Sequence, residues 1–167
     1  RHAATRPSAT RAATAVTGAD ADGHVAATQA TAEANAAVAA ELPLADQADF
    51  ADANRGFVTK DEPLRITAAD GRVIWDPAAY AFITGDAPSS VNPSLWRQAK
   101  LNQIHGLFKV ADGIHQVRGY DISNMSIIDT DAGRIIVDPL TARETAAAAL
   151  ALVERELGKR PIIAVIF

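Results

Sequence analysis

From Ile135 onward the chain spells out strand, helix, strand. Ile135-Ile136-Val137 is a short apolar strand. Thr141 followed three positions later by Glu144 reads as a capping box, in which the hydroxyl takes one free helix amide and the carboxylate reaches back for another. Leu150, Val153 and Leu157, with Ala146 and Ala149, form the expected buried stripe, and Gly158 ends the helix. Pro161 leads into Ile162-Ile163-Ala164-Val165-Ile166-Phe167, a continuous apolar run that predicts a strand buried on both faces. Two strands joined through a helix run parallel, by a right-handed crossover. In open sheets of this kind, ligands gather outside the carboxyl ends of the strands. One such end is Asp138-Pro139, and the other falls just after Phe167.

Shorter signals precede this unit. Residues 107–110 and 114–117 read as strands around Ala111-Asp112-Gly113, and residues 125–128 and 135–137 flank a loop over residues 129–133. Asn92-Pro93-Ser94 opens a helix whose apolar side is Leu95, Leu101 and Ile104, with Gly106 after it. Residues 57–93 read as turns and short strands, with turns at residues 60–63 and 70–71, a strand over residues 73–75 and an N-cap at Asp76-Pro77. A helix is expected over residues 44–55, with Gly56 at its left-handed end, and another over residues 24–40, where Ala dominates and the apolar face is thin.

Residues 1–23 are mostly Ala, Thr, Arg, Ser and Asp without apolar period, and read as a disordered arm; no apolar signal core stands there. The numbering opens on Arg1 and closes inside an apolar run, so both ends are expected to be cut ends of a longer protein. The net charge of −4 argues against a nucleic-acid coat, since phosphate binding needs surplus Lys and Arg. With 0 Cys there is no disulfide, thiolate metal site or cysteine nucleophile. No apolar run reaches the ~20 residues of a membrane span.

The candidate reactive groups are few. Among His2, His24, His105 and His115 no pair has the spacing that sets two imidazoles on one metal. His105 reads as a group facing the last helix carbonyls, and His115 as a strand residue. Asp121-Ile122-Ser123-Asn124 is a polar loop between two strands. Its Asp121, Ser123 and Asn124 either make the turn by local side-chain bonds or line a pocket at the active edge of the sheet. Asp138 stands directly after a strand, followed by Pro, where a carboxylate would take the amides of a neighbouring loop.

Several stretches resemble the alkyl sulfatases, or alkyl/aryl-sulfatases, of the metallo-β-lactamase superfamily. They are Asp49-Phe50-Ala51-Asp52-Ala53-Asn54-Arg55-Gly56-Phe57, Val91-Asn92-Pro93-Ser94-Leu95-Trp96-Arg97-Gln98, Gly106-Leu107-Phe108, Gln116-Val117-Arg118-Gly119-Tyr120-Asp121-Ile122-Ser123-Asn124-Met125 and Ile136-Val137-Asp138-Pro139-Leu140-Thr141. The resemblance covers residues 45–167. It implies an α+β fold, the N-terminal half of a metallo-β-lactamase αββα sandwich over residues 44–167; the Ala-rich arm before it, read from composition as disordered to helical over residues 1–43, has no such match.

It also implies a hydrolase cleaving sulfate esters of long-chain alcohols at a binuclear zinc centre, where the metal polarises the sulfate and presents an activated water. The zinc ligands are expected in a His-x-His-x-Asp-His loop beyond Phe167, so no catalytic residue and no metal ligand is expected in this chain. Asp138 matches the acid that supports that loop without binding zinc. The resemblance further implies a homodimer for the whole enzyme, and leans towards a periplasmic or secreted location. The rival readings are another hydrolase of the same superfamily fold, or a short non-catalytic binding or dimerisation module.

Overall fold

The computed structural model describes residues 25–167; the expectations for residues 1–23 and for His2 and His24 fall outside them. Four helices, α1 (Gln29–Glu41), α2 (Ala48–Asn54), α3 (Pro93–Asn102) and α4 (Arg143–Leu157), accompany eight strands among these residues. The strands are β1 (Phe57–Thr59), β2 (Ile66–Thr67), β3 (Val73–Trp75), β4 (Gly106–Ala111), β5 (Ile114–Arg118), β6 (Met125–Thr130), β7 (Gly133–Val137) and β8 (Ile162–Ile166). A six-stranded sheet has the order β1-β4-β5-β6-β7-β8, and β2 pairs with β3 apart from it. Every pairing in the larger sheet is antiparallel except β7 with β8, which is parallel as the strand–helix–strand order requires. The α+β class expected from the sequence is therefore the one observed. No helix among the described residues is long and apolar enough to cross a membrane.

Alternation along the strands builds the core. Leu107, Val117, Met125, Ile127 and Ile136 share one face of the sheet and are buried, and Ala149, Leu152 and Val153 of α4 meet them there. Ile66, with the half-buried Ile74 and Trp75, closes the same core from the small sheet, and Leu64 joins them from just before β2. On the opposite face Phe108 is fully buried under Phe57, whose ring meets it edge-on at 5.6 Å, and under the Arg118 guanidinium at 4.4 Å.

Arg134 is the largest fully buried side chain. It donates to Asp129 at 2.9 Å and to the carbonyls of Gly158 and Leu157 at 2.8 and 3.1 Å. A strand residue thereby satisfies the carbonyls that the end of α4 leaves free.

Several expectations need correction. The capping box does not form: the N-cap of α4 is Ala142, with no side-chain cap, because Thr141 sends its hydroxyl to Asp121 while Glu144 faces Arg143. The buried stripe of α4 is Thr145, Ala149, Leu152 and Val153, whereas Leu150 is half-buried. Leu95 is 63% exposed rather than on a covered face of α3.

The strand β8 is not buried on both faces; all five of its residues are exposed, because it is the outermost strand and α4 covers the middle of the sheet. It also ends at Ile166, one residue earlier than expected. The helix α1 starts at Gln29, where the Thr28 hydroxyl accepts the Thr31 amide at 3.2 Å. In the same way α2 starts at Ala48, whose amide is taken by the Asp46 carboxylate at 2.9 Å. Between β6 and β7 the expected loop tightens to Asp131-Ala132, since Thr130 already pairs with Gly133.

Candidate functional site

Strand register gathers four segments at one end of the large sheet. Gly106 pairs with Arg118, Val117 with Met125, Ser126 with Val137, and Val137 with Ile166. The start of β4, the loop over residues 119–124, the turn over residues 138–141 and the exit of β8 therefore lie at the same end. This is the carboxyl end of the parallel pair, where the sequence places the candidate acid.

Asp138 sits there in a left-handed conformation, φ 54°. Its amide donates to the Ile166 carbonyl at 2.9 Å, and its Oδ1 accepts from the Ser123 hydroxyl at 3.2 Å and the Leu140 amide at 3.1 Å. Asp138 is exposed, and its Oδ2 has no hydrogen-bond partner among the described residues.

Asp121 is a different kind of carboxylate. It is 6% exposed and accepts from the Ile122 amide at 2.6 Å, the Thr141 amide at 3.0 Å, the Thr141 hydroxyl at 2.6 Å and the Thr145 hydroxyl at 2.5 Å. Burial alone would raise its pKa, but the two hydroxyls and then the two amides outweigh burial and leave it below the usual carboxylate value. Asp121 and Ser123 both make side-chain hydrogen bonds to the 138–141 turn. Those bonds reach across to the next loop rather than staying local.

Beside these groups is a cleft of about 560 Å³. Trp75, Tyr80, Ile83, Leu101, Ile104 and Ile122 supply its apolar wall, while His105, Arg118, Asp121 and Asn124 supply polar groups. Asn124 and Asp121 line it, and Ser123 faces Asp138 instead. The Trp75 indole donates to the Gly119 carbonyl at 2.8 Å, tying β3 to the loop. Arg118 donates to Gln116 at 2.7 Å and to the Ala53 carbonyl at 3.3 Å, and burial lowers its pKa.

His105 lies within hydrogen-bond distance of the Gln103 carbonyl through Nδ1, at 3.0 Å, near the expected helix end, while its buried Nε2 has no partner among the described residues. His115 is at the other end of the sheet, with Nδ1 at 3.7 Å from Asp129, and belongs to no site with the rest.

Sequence reading missed Thr145 and Arg118. A hydroxyl on the covered stripe of an Ala-rich helix was the available sign of a buried polar partner. For Arg118 the local sign was only Gln116 two positions before it, because the Ala53 carbonyl and the Phe108 ring that also hold it come from α2 and β4.

Comparison with known proteins decides the family. An alkyl/aryl-sulfatase of Saccharomyces cerevisiae is 46% identical over 138 residues, 82% of this chain and 21% of that protein. A linear primary-alkylsulfatase of a Pseudomonas species is 48% identical over 143 residues, 84% of this chain and 21% of that protein. The chain belongs to the alkylsulfatase family. An (R)-specific secondary-alkylsulfatase from Pseudomonas is 47% identical over 138 residues, again with 82% and 21% covered.

The solved structure of a stereoselective inverting sec-alkylsulfatase from Pseudomonas superposes with a TM-score of 0.78 at 48% identity, over 84% of this chain and 22% of that one. No family model matches the chain. The chain spans about one fifth of the length of the alkylsulfatases it matches.

Proposed function

We propose that the chain is scaffold for a zinc-dependent hydrolase that cleaves sulfate esters of long-chain alcohols. The observation that carries this reading is 46–48% identity to three alkylsulfatases over 82–84% of this chain. In this reading residues 44–167 are the N-terminal half of a metallo-β-lactamase sandwich and residues 1–43 are an arm outside it. The sheet face opposite α4, with Ile128, Ile135 and Val137 half-buried and Ile162 and Ile166 exposed, is then the face a second sheet covers. The whole enzyme works as a homodimer.

The metal itself does not fit the residues at hand. Among the described residues no group of three or more His, Asp or Glu side chains could hold an ion, and the unpartnered His105 Nε2 stands without a second ligand. The zinc ligands of this reading therefore lie outside the described residues, and no catalytic step is assigned to this chain. Its contribution is position. Asp138, with one oxygen tied and one free, stands beside the exit of β8 to hold a following loop by its amides or imidazoles. Asp121, Ser123 and Asn124 wall and brace the same end.

The test is sulfate release from dodecyl sulfate by the complete product of the gene, with and without a chelator. Release that stops on chelation and returns with zinc supports the reading. No release, or release indifferent to chelation, contradicts it.

A further inference from the structure

Outside glycine, two of the described residues have positive φ, Asp138 at 54° and Leu140 at 71°, and both lie in the turn between β7 and α4. An L side chain keeps such a backbone only where its surroundings over-determine it. Glycine would relieve the strain at either position, and neither is glycine.

The loop that precedes β6 grips this turn at both ends. At the far end, Asp121 takes the amide and hydroxyl of Thr141 at 3.0 and 2.6 Å. At the near end, Ser123 donates to Asp138 Oδ1 at 3.2 Å. Asp121 is anchored in turn by the Thr145 hydroxyl at 2.5 Å, one turn into α4, and by the Ile122 amide at 2.6 Å. A buried carboxylate is costly unless its lone pairs are filled. Here hydroxyl and amide donors from α4, from the turn before it and from its own loop fill them. A helix cap alone would not need this arrangement, since a surface Ser or Asp at position 142 would serve.

We propose that Asp121 is a positioning residue: through Thr141 and Thr145 it locks the 138–141 turn in its left-handed form and so sets the direction in which Asp138 presents its free oxygen. Its importance for catalysis rests on the function proposed above; the clamp itself does not.

Hydrogen exchange at the Leu140 amide is the readout, because that amide donates to Asp138 Oδ1 and not to Asp121. In Asp121→Asn, exchange at Leu140 should rise by about tenfold or more relative to Ile127 in the middle of β6. Leu152→Ala, which loosens the core under α4, should raise no such selective change. If Asp121→Asn fails to fold, Thr145→Val removes one donor while keeping side-chain volume, and a severalfold selective rise at Leu140 is expected. Exchange at Leu140 that stays unchanged, or moves only in step with Ile127, in the folded variant overturns the proposal. The measurement needs no turnover, so a protein that cleaves no alkyl sulfate leaves its outcome intact.

Discussion

The amide of Asp138 donates to the carbonyl of Ile166 at 2.9 Å, joining the end of β7 to the end of β8. The bond fixes a strained acid beside the point where the outer strand leaves the sheet. Substitution at Asp138 should therefore separate folding from function. Asp138→Asn keeps an acceptor and a side chain that tolerates the left-handed region, and should unfold in urea within about 0.5 kcal/mol of the parent. Asp138→Val should lose about 1–3 kcal/mol, because a β-branched side chain pays the full cost of positive φ. Under the function proposed above, Asp138→Asn in the complete gene product should still lower sulfate release by about 10–100-fold.

Arg134 and Arg155 make ion pairs of very different worth. Arg134 is 1% exposed and holds Asp129 together with the terminal carbonyls of α4. Arg134→Met should cost about 3 kcal/mol in denaturant unfolding, since it strands those acceptors. Arg155 meets Asp61 at 2.7 Å with half of its side chain in solvent. Arg155→Ala should leave the urea midpoint of unfolding nearly unchanged, since solvent screens an exposed pair.

His115 gives stability an acid limb. Burial lowers its pKa below 6.5, Asp129 pulls the other way, and Lys109 and Arg134 add to the lowering. The folded chain thus prefers the neutral imidazole while the unfolded chain protonates at the ordinary value. Its contribution is whole above pH 6.5 and is lost as pH falls through the lowered native value. Unfolding free energies measured from about pH 8 down to about pH 5 should fall in the parent and flatten in His115→Gln. The Asp121 clamp has its own window, since its lowered pKa keeps its contribution until pH drops below the ordinary 3.8.

The outer strand should make the chain self-associate. Ile163, Val165 and Ile166 are 44–51% exposed on a strand with one unpaired edge. Light scattering should show association that increases with concentration. Val165→Lys should reduce it, with little loss of stability, because Val165 is already 44% exposed.

Where local chemistry sets structure, the sequence was readable. Asn92 accepts the Ser94 and Leu95 amides ahead of Pro93, and Asp76 accepts the Ala78 amide ahead of Pro77, as their spacing implies. The parallel pairing of β7 with β8 followed from a helix standing between two apolar runs. Misreadings arose where the partner is distant. Thr141 has the spacing of a capping residue, yet its hydroxyl is claimed by Asp121, 20 positions away. The composition of β8 reads as doubly buried because an apolar run carries no record of whether a neighbour covers it. Asp138 could be found from its place after a strand, but nothing in its neighbours announced its positive φ or the bond to Ile166.

The most direct measurement is zinc titration of the purified 167-residue chain, followed on the same sample by assay of sulfate release from dodecyl sulfate. The account predicts no stoichiometric zinc uptake and no release, since in the function proposed above the chain acts as scaffold with a supporting acid, and no group of three metal-binding side chains stands among the described residues. Tight uptake of one or two zinc ions, with turnover of the ester, would contradict it.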